Sequence, residues 1–310
     1  MISSHDLHFF AEIARAPSLA AAARALNVTP PAVSQRLKLL EEKLAVKLLE
    51  RVRGAICLTS EGALLLEKAQ GILGDLEDLE DVFSLRRDHV SGPLRIIASF
   101  GFGRKHVAGI MASFQAQHPD ITLSLRLSEA PSITGQSEPW DIMISIGALP
   151  TSSIIQRKLA SNRRILCAAP SYLQRAPRLE QPSDLKAHAC GVIRENHEDV
   201  TLWSFSTLDN SGNKTVVTQR IDPAFASNDG DVVVNWARQG LGVIERSQWD
   251  VAAELQSGRL CQVLPGFDLP SADIIALTSP RMLRVARTQR FLDHLAREVK
   301  HLEPHWAIPD

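Results

Sequence analysis

The sequence predicts an α+β multidomain chain: a small helical head with a wing, one long linker helix, and an α/β body. Three patterns predict it. Apolar residues recur at helical spacing from Leu7 to Leu44, an a/d heptad pattern occupies Leu65 to Phe83, and beyond Pro93 short apolar runs alternate with helical stretches. With 310 residues the chain suits two or three compact units rather than one core.

In the head, Leu7, Phe10, Ile13 and Ala14 define a first helix over 6–16, with Ser4 as its N-cap and Pro17 as its stop. Ser18 caps a second, alanine-rich helix over 19–26, whose small side chains allow close helix approach. Asn27 tolerates the left-handed turn that follows, Thr29 caps the next helix, and Pro30 and Pro31 fit its first turn. Val33, Leu37, Leu40 and Leu44 give that third helix, 30–44, a buried stripe. Ser34, Gln35 and Lys38 fall on the outward face, where they suit base edges or phosphates in a major groove. A two-stranded wing is expected over 47–58, with Arg51 and Arg53 beside a turn at Gly54. Residues 1–58 carry eight basic and five acidic side chains, +3, while the remainder carries 26 and 30, −4. A basic head on an acidic body suits a polyanion-binding module joined to something else.

Thr59-Ser60-Glu61 starts a long helix to about Arg87. Leu65, Ala69, Ile72, Leu76, Leu79 and Phe83 alternate spacings of four and three, which predicts pairing with the same helix of a second copy, the alternative being packing on its own chain. Residues 88–93 read as a hinge. Strands are expected at 94–98, 121–127, 140–146, 190–194, 214–221, 242–246 and 273–278, with helices at 229–238 and 283–302, in a largely parallel α/β arrangement.

Ser99-Phe100-Gly101-Phe102-Gly103-Arg104 joins a strand end to a helix start, where backbone N–H groups and the helix dipole favour an anion. Arg194 at a strand end can grip a carboxylate, and Asn228 and Asp229 can bond a hydroxyl, although Asp229 equally suits a helix cap. Position 106 is His, so the GxG is no dinucleotide fingerprint. The absence of GxSxG, HExxH and Walker patterns argues against an enzyme, and no cofactor or metal is implied; His301 and His305 are separated by Pro304. Cys57, Cys167, Cys190 and Cys261 form no CxxC pair, so reduced and mostly buried thiols are expected, with a redox-sensing pair as the alternative. No apolar run reaches ~18 residues and the N-terminus lacks a signal-peptide pattern, so the expectation is a cytoplasmic protein without a membrane partner.

The Ala-rich second helix, VTPPAVSQRLKLLEEKL, the L-x-x-R wing and LTSEG together resemble the winged helix-turn-helix of LysR-type transcriptional regulators. The resemblance continues through the linker helix and body. Ala45, where the family usually has Gly, and Leu49, where many members have Phe, are departures in the head. ASFGFGR, SIGALPTSS, LCAAPSYL, VIREN and SNDGDVV make the body similar to the subgroup that regulates tartrate or malate metabolism, whereas 129–140 and Gly242-Val243-Ile244-Glu245 depart from it.

The resemblance implies a dimer or tetramer on promoter DNA, with RNA polymerase as a further partner. It also implies a body of two lobes like a type 2 periplasmic binding protein, with crossovers near 159–163 and 269–272 and a small organic acid between the lobes. The implied domains are 1–58 for DNA, 59–91 for linker and hinge, 92–162 with 271–303 for the first lobe, and 163–270 for the second. Trp140 and Phe102 would suit an aromatic acid as readily as a hydroxy-dicarboxylate; Gly147 completes the effector set. The competing classes are a solute-binding protein, which predicts no DNA affinity, and an enzyme built on the body.

Overall fold

The computed structural model describes residues 2–52, 55–85, 90–128, 140–147, 154–194, 199–208 and 213–306. The chain divides into two compact units, Met1–Asp88 and His89–Asp310.

The first unit runs α1 (Ser4–Arg15), α2 (Leu19–Ala25), α3 (Pro30–Leu44), β1 (Leu49–Val52), β2 (Ala55–Leu58) and α4 (Ser60–Leu85). Helix α1 starts at Ser4, the residue expected to cap it, and its N-cap lies one residue earlier. Ser3 is the N-cap because only from there can Asp6 return a bond, so the two form a capping box. Ser18 Oγ accepts from Ala21 N–H at 3.1 Å and caps α2. Asn27 adopts φ 54° at the turn. Thr29 occupies the N-cap of α3, but its side chain makes no cap bond, contrary to expectation. Phe9, Phe10, Ile13, Ala22, Ala23, Val33, Leu37, Leu40 and Leu48 form the core. Ala22 and Ala23 are buried, consistent with close helix approach.

β1 and β2 pair antiparallel, Leu49 opposite Leu58. Gly62 packs where a Cβ would stand 2.0 Å from Leu48 O, so the start of α4 requires glycine to lie against the wing. Along α4, Ala69 is buried and Leu65 packs on the core, whereas Ile72, Leu76 and Leu79 are exposed. The Phe83 side chain and all of Arg53 and Gly54 lie outside the described residues.

The second unit continues with β3 (Gly92–Ser99), α5 (Phe100–Phe102), a π turn (Gly103–Val107), α6 (Ala108–Gln117), β4 (Ile121–Ser128), β5 (Ile142–Ile146) and β6 (Ile155–Ala160). Then come β7 (Arg164–Ala168), α7 (Pro170–Leu173), β8 (Cys190–Ile193), β9 (Leu202–Leu208), β10 (Lys214–Arg220), β11 (Pro223–Ser227) and α8 (Gly230–Arg238). It ends with β12 (Val243–Ser247), α9 (Gln248–Gln256), β13 (Cys261–Val263), β14 (Ile274–Thr278) and α10 (Ala286–Leu302).

Two five-stranded sheets result, ordered β4-β3-β5-β14-β6 in a first lobe and β11-β8-β12-β7-β13 in a second. Both are mixed rather than largely parallel. β3 runs parallel to β4 and β5, and β8 to β11 and β12, but β14 opposes β5 and β6 while β7 opposes β12 and β13. The antiparallel strands flank the two passages between lobes, where the chain re-enters each sheet from its opposite end. Asn162 ties these passages together: its Nδ2 donates to Ala272 O at 2.9 Å and Ser247 Oγ at 3.0 Å, and Ala272 N–H donates to Asn162 O at 3.1 Å. The expected strand at 214–221 has a partner the sequence reading missed, β9, and together they form a separate hairpin.

Ala45 closes α3 at φ 55°, a conformation that costs a side-chain-bearing residue roughly 1 kcal/mol. Ala45→Gly is therefore expected to raise the stability of the first unit by about 0.5–1 kcal/mol, part of the gain being returned through unfolded-chain entropy. Gly62→Ala, in contrast, is expected to lower it by about 1–3 kcal/mol. Urea titrations of the full-length chain followed by circular dichroism check both signs.

Candidate functional site

The third helix of the head presents its outward face from a fixed base. Val33, Leu37 and Leu40 are buried, leaving Pro30, Pro31, Ser34, Gln35 and Lys38 exposed together. Ser34 Oγ donates to Pro30 O at 3.2 Å, and Lys38 Nζ, three-quarters exposed, stands 3.7 Å from Glu42. Three other head cations are committed to structure. Arg36 donates to His5 O at 3.0 Å and lies over the Phe9 ring, Lys43 pairs with Asp6, and Lys47 pairs with Glu41.

Glu41, which the sequence reading passed over, is the joint between α3 and the wing. Its Oε1 accepts from Leu48 N–H at 2.9 Å. Burial pushes its carboxyl up, but hydrogen bonds from Lys47 and the Leu48 and Leu49 N–H groups outweigh that, and it ends below the usual carboxylate range.

In the second unit, the parallel strands of each sheet end on candidate residues. Ser99 closes β3, Gly147 follows β5, Arg194 follows β8, and Asn228 and Asp229 follow β11. Carboxyl ends of parallel strands are where open α/β sheets bind ligands. Ser99 is half-buried, and its hydroxyl makes no cap bond to the helix that follows. Arg194 is exposed; its backbone N–H donates to Ser227 O at 2.9 Å.

An ion network links the two lobes beside these ends. Arg104 Nη2 lies 3.0 Å from Asp229 and 2.9 Å from Asp231. Lys105 Nζ lies 3.0 Å from Asp231 and also pairs with Asp250, which is held in turn by Arg246 with Nε at 2.7 Å. The Asp250 side chain is fully buried. Burial pushes that carboxyl up, yet Arg246 and Lys105 prevail and hold it below its ordinary value. For Lys105, burial pulls the pKa down but the Asp250 and Asp231 carboxylates raise it overall.

A family model described as a bacterial regulatory helix-turn-helix protein of the lysR family matches residues 4–63, and one described as a LysR substrate binding domain matches 87–300. The chain belongs to the LysR family of transcriptional regulators. It is 34% identical over 304 residues to the HTH-type transcriptional regulator DmlR of Escherichia coli K12, covering 98% of this chain and 97% of that protein. It is also 34% identical over 291 residues to the transcriptional activator TtdR of the same strain, covering 94% and 92%. Among solved structures, CrgA of Neisseria meningitidis, itself a LysR-type regulator, is similar at 27% identity and TM-score 0.58, covering 96% and 99% of the two chains. Full-length OxyR C199D from Pseudomonas aeruginosa shares the fold at TM-score 0.65 and 16% identity, covering 97% and 95%.

In this LysR regulator several effector candidates sit elsewhere than expected. Phe102 is fully buried in the first lobe, its ring packed edge-on to Trp249 at 5.1 Å and Trp306 at 6.3 Å, so it is a core residue. Trp140 precedes β5 at the amino end of that strand and packs near Ile97 and Met143, about 17 Å along the sheet from the level of Ser99. Arg104 is already engaged by two carboxylates, and Asp229 does cap α8, accepting from Asp231 N–H at 2.8 Å. Phe100 and Gly101 are half-buried at the helix start. A groove of about 680 Å³ lies elsewhere, lined by Arg164, Ser204, Val216 and Phe267 among others, and contains none of the strand-end candidates. The Arg51 side chain and Arg53 lie outside the described residues, as do the segments 129–139 and 195–198.

Lys105, Asp231, Arg246 and Asp250 escaped sequence reading. Their only local signal is the i, i+4 spacing of Arg246 and Asp250; the rest depends on two lobes meeting.

Burial acts on two histidines of the body. Burial pushes His106 down from 6.5, and burial likewise pushes down His294, whose Nε2 lies 2.9 Å from Ser113 Oγ. Both favour the neutral ring when folded, so the unfolded chain takes up protons first as pH falls. Their contribution is complete above about pH 6.5 and is lost as pH drops towards the lower folded values. Thermal unfolding of the full-length chain is expected to show a falling midpoint from pH 7 to pH 5, with a shallower fall in His294→Gln; an unchanged slope in that variant would exclude His294.

Proposed function

We propose that this LysR regulator reads promoter DNA through Ser18, Thr29, Pro30, Pro31, Ser34, Gln35, Lys38, Arg51 and Arg53, and that a small organic acid bound between the lobes modulates it. The observation that carries the effector reading is the position of Ser99, Gly147, Arg194 and Asn228 at carboxyl ends of parallel strands, Ser99 and Asn228 also standing before helix starts. Phe102 is buried in the core and Trp140 lies at the far end of its strand, which removes the reason for an aromatic acid and favours a hydroxy-acid. The likeness of the body to the tartrate and malate subgroup points the same way. Exposed Ile72, Leu76 and Leu79 on α4 support self-association through that helix. Among the described residues no helix is long and apolar enough to cross a membrane.

DNA contact has a direct test. In gel shifts with the DNA flanking its own coding region, Lys38→Ala is expected to weaken binding across sequences and to reduce the slope of log K against log salt by about 1. Gln35→Ala is expected to relax sequence preference with an unchanged slope. The absence of any shift at low salt would overturn the DNA reading.

For the effector, thermal-shift screening of hydroxy-dicarboxylates and aromatic acids identifies a ligand class. Its stabilisation is expected to fall in Ser99→Ala and in Arg194→Ala, each by about tenfold in affinity if a charged hydrogen bond is lost. A hit unaffected by both variants would move the site.

A further inference from the structure

We propose that Asp231 occupies the seat of an effector carboxylate: it spans Arg104 and Lys105 of the opposite lobe, and an incoming anion must displace it. The proposal rests on the cleft being the seat of an anionic effector and deepens that reading by naming the internal competitor.

The Asp231 carboxylate lies 2.9 Å from Arg104 Nη2 and 3.0 Å from Lys105 Nζ. Both cations follow β3 in the first lobe, while Asp231 lies in the first turn of α8 in the second. One carboxylate held by two cations across the lobes is the arrangement a carboxylate ligand would adopt there.

The three acids of the network differ in what they can give up. Asp229 caps α8 through the Asp231 N–H. Asp250 is fully buried and joins Lys105 to Arg246, so removing its charge would take from both cations the buried carboxylate they share. Asp231 has neither task. Its side chain is 42% exposed, and among the described residues its carboxylate touches only Arg104 and Lys105. On leaving, it returns to water with little desolvation to recover.

Charge makes the displacement necessary. Arg104, Lys105 and Arg246 face Asp229, Asp231 and Asp250, three cations against three carboxylates. This balanced cluster offers an approaching anion no net attraction. With Asp231 swung out, the remaining cluster carries one positive charge, which a ligand carboxylate neutralises. Arg104 keeps Asp229 and Lys105 keeps Asp250 throughout, so the exchange leaves the lobes tied.

The test uses inorganic phosphate as the anion and the full-length chain, in calorimetric titrations at ionic strength held constant with sodium chloride. Asp231→Asn preserves shape and removes charge; it is expected to bind phosphate about threefold tighter than the unaltered chain or better. Asp231→Ser, a good residue for a helix start, is expected to show the same gain. Adding Arg104→Gln to Asp231→Asn is expected to abolish it. Equal or weaker phosphate binding in both single variants overturns the proposal, and Asp231 is then only a bridge between lobes. Malate and benzoate separate this from the effector reading. Tighter phosphate binding by the variants, with neither acid bound by the unaltered chain, upholds the seat and defeats a carboxylate effector of those classes. An acid that binds the unaltered chain with an affinity unmoved by Asp231→Asn defeats the seat and upholds the effector.

Discussion

The body of this regulator depends on how helix α9 joins its two lobes. Trp249 and Ala252 pack into the first-lobe core, while Val251 and Leu255, on the same helix, pack into the second. Between them Asp250 is buried with Lys105 from one lobe and Arg246 from the other. A buried carboxylate is tolerable only with such partners, because the desolvation cost of an isolated charge exceeds what a fold can carry. Gly230 belongs to the same joint. A Cβ there would stand 2.3 Å from Arg246 Nη2, so glycine lets the guanidinium lie against the start of α8. The strand ends that carry Ser99, Arg194 and Asn228 are held in register by this helix and by the Asn162 tie between the two passages.

The joint bears on how an effector can act. Wide hinge opening would withdraw Trp249 from its contacts with Phe102 and His106 and break the pairs at Asp250. Smaller changes at the exposed rim, where Arg104 meets Asp229 and Asp231, disturb far less buried surface. A ligand shifts an equilibrium only by its differential affinity for the two states, so a rim exchange is the less demanding way to couple binding to α8.

The head solves a different problem with the same kind of group. α3 must hold a polar face outward while the wing stays beside it, and Glu41 does this by accepting from two backbone N–H groups at the start of the wing. Lys47, Lys43 and Arg36 are engaged in internal bonds, so these three cations of the head are less free to meet phosphate than Lys38. Lys38 and Gln35 remain outward because the buried stripe of α3 leaves them no other side.

Much of the head was legible because helix periodicity, caps and turn residues are local. Ser18, Asn27, Pro30 and Ala45 each act within a few residues, and the apolar stripe of α3 follows from spacing alone. The alternation of strands and helices in the body was equally readable. Strand direction was not, because β7 and β14 enter their sheets from passages that local pattern does not reveal. Nor were the fates of Phe102 and Trp140: an aromatic residue near a candidate site looks the same in sequence whether it lines a cleft or fills a core. The sequence by itself determined the elements of the head, the family and the outward face of α3. Only the tertiary structure decided which charges meet, since Asp250, Lys105, Arg246 and Asp231 lie on segments up to 145 residues apart and pair because two lobes close on one helix.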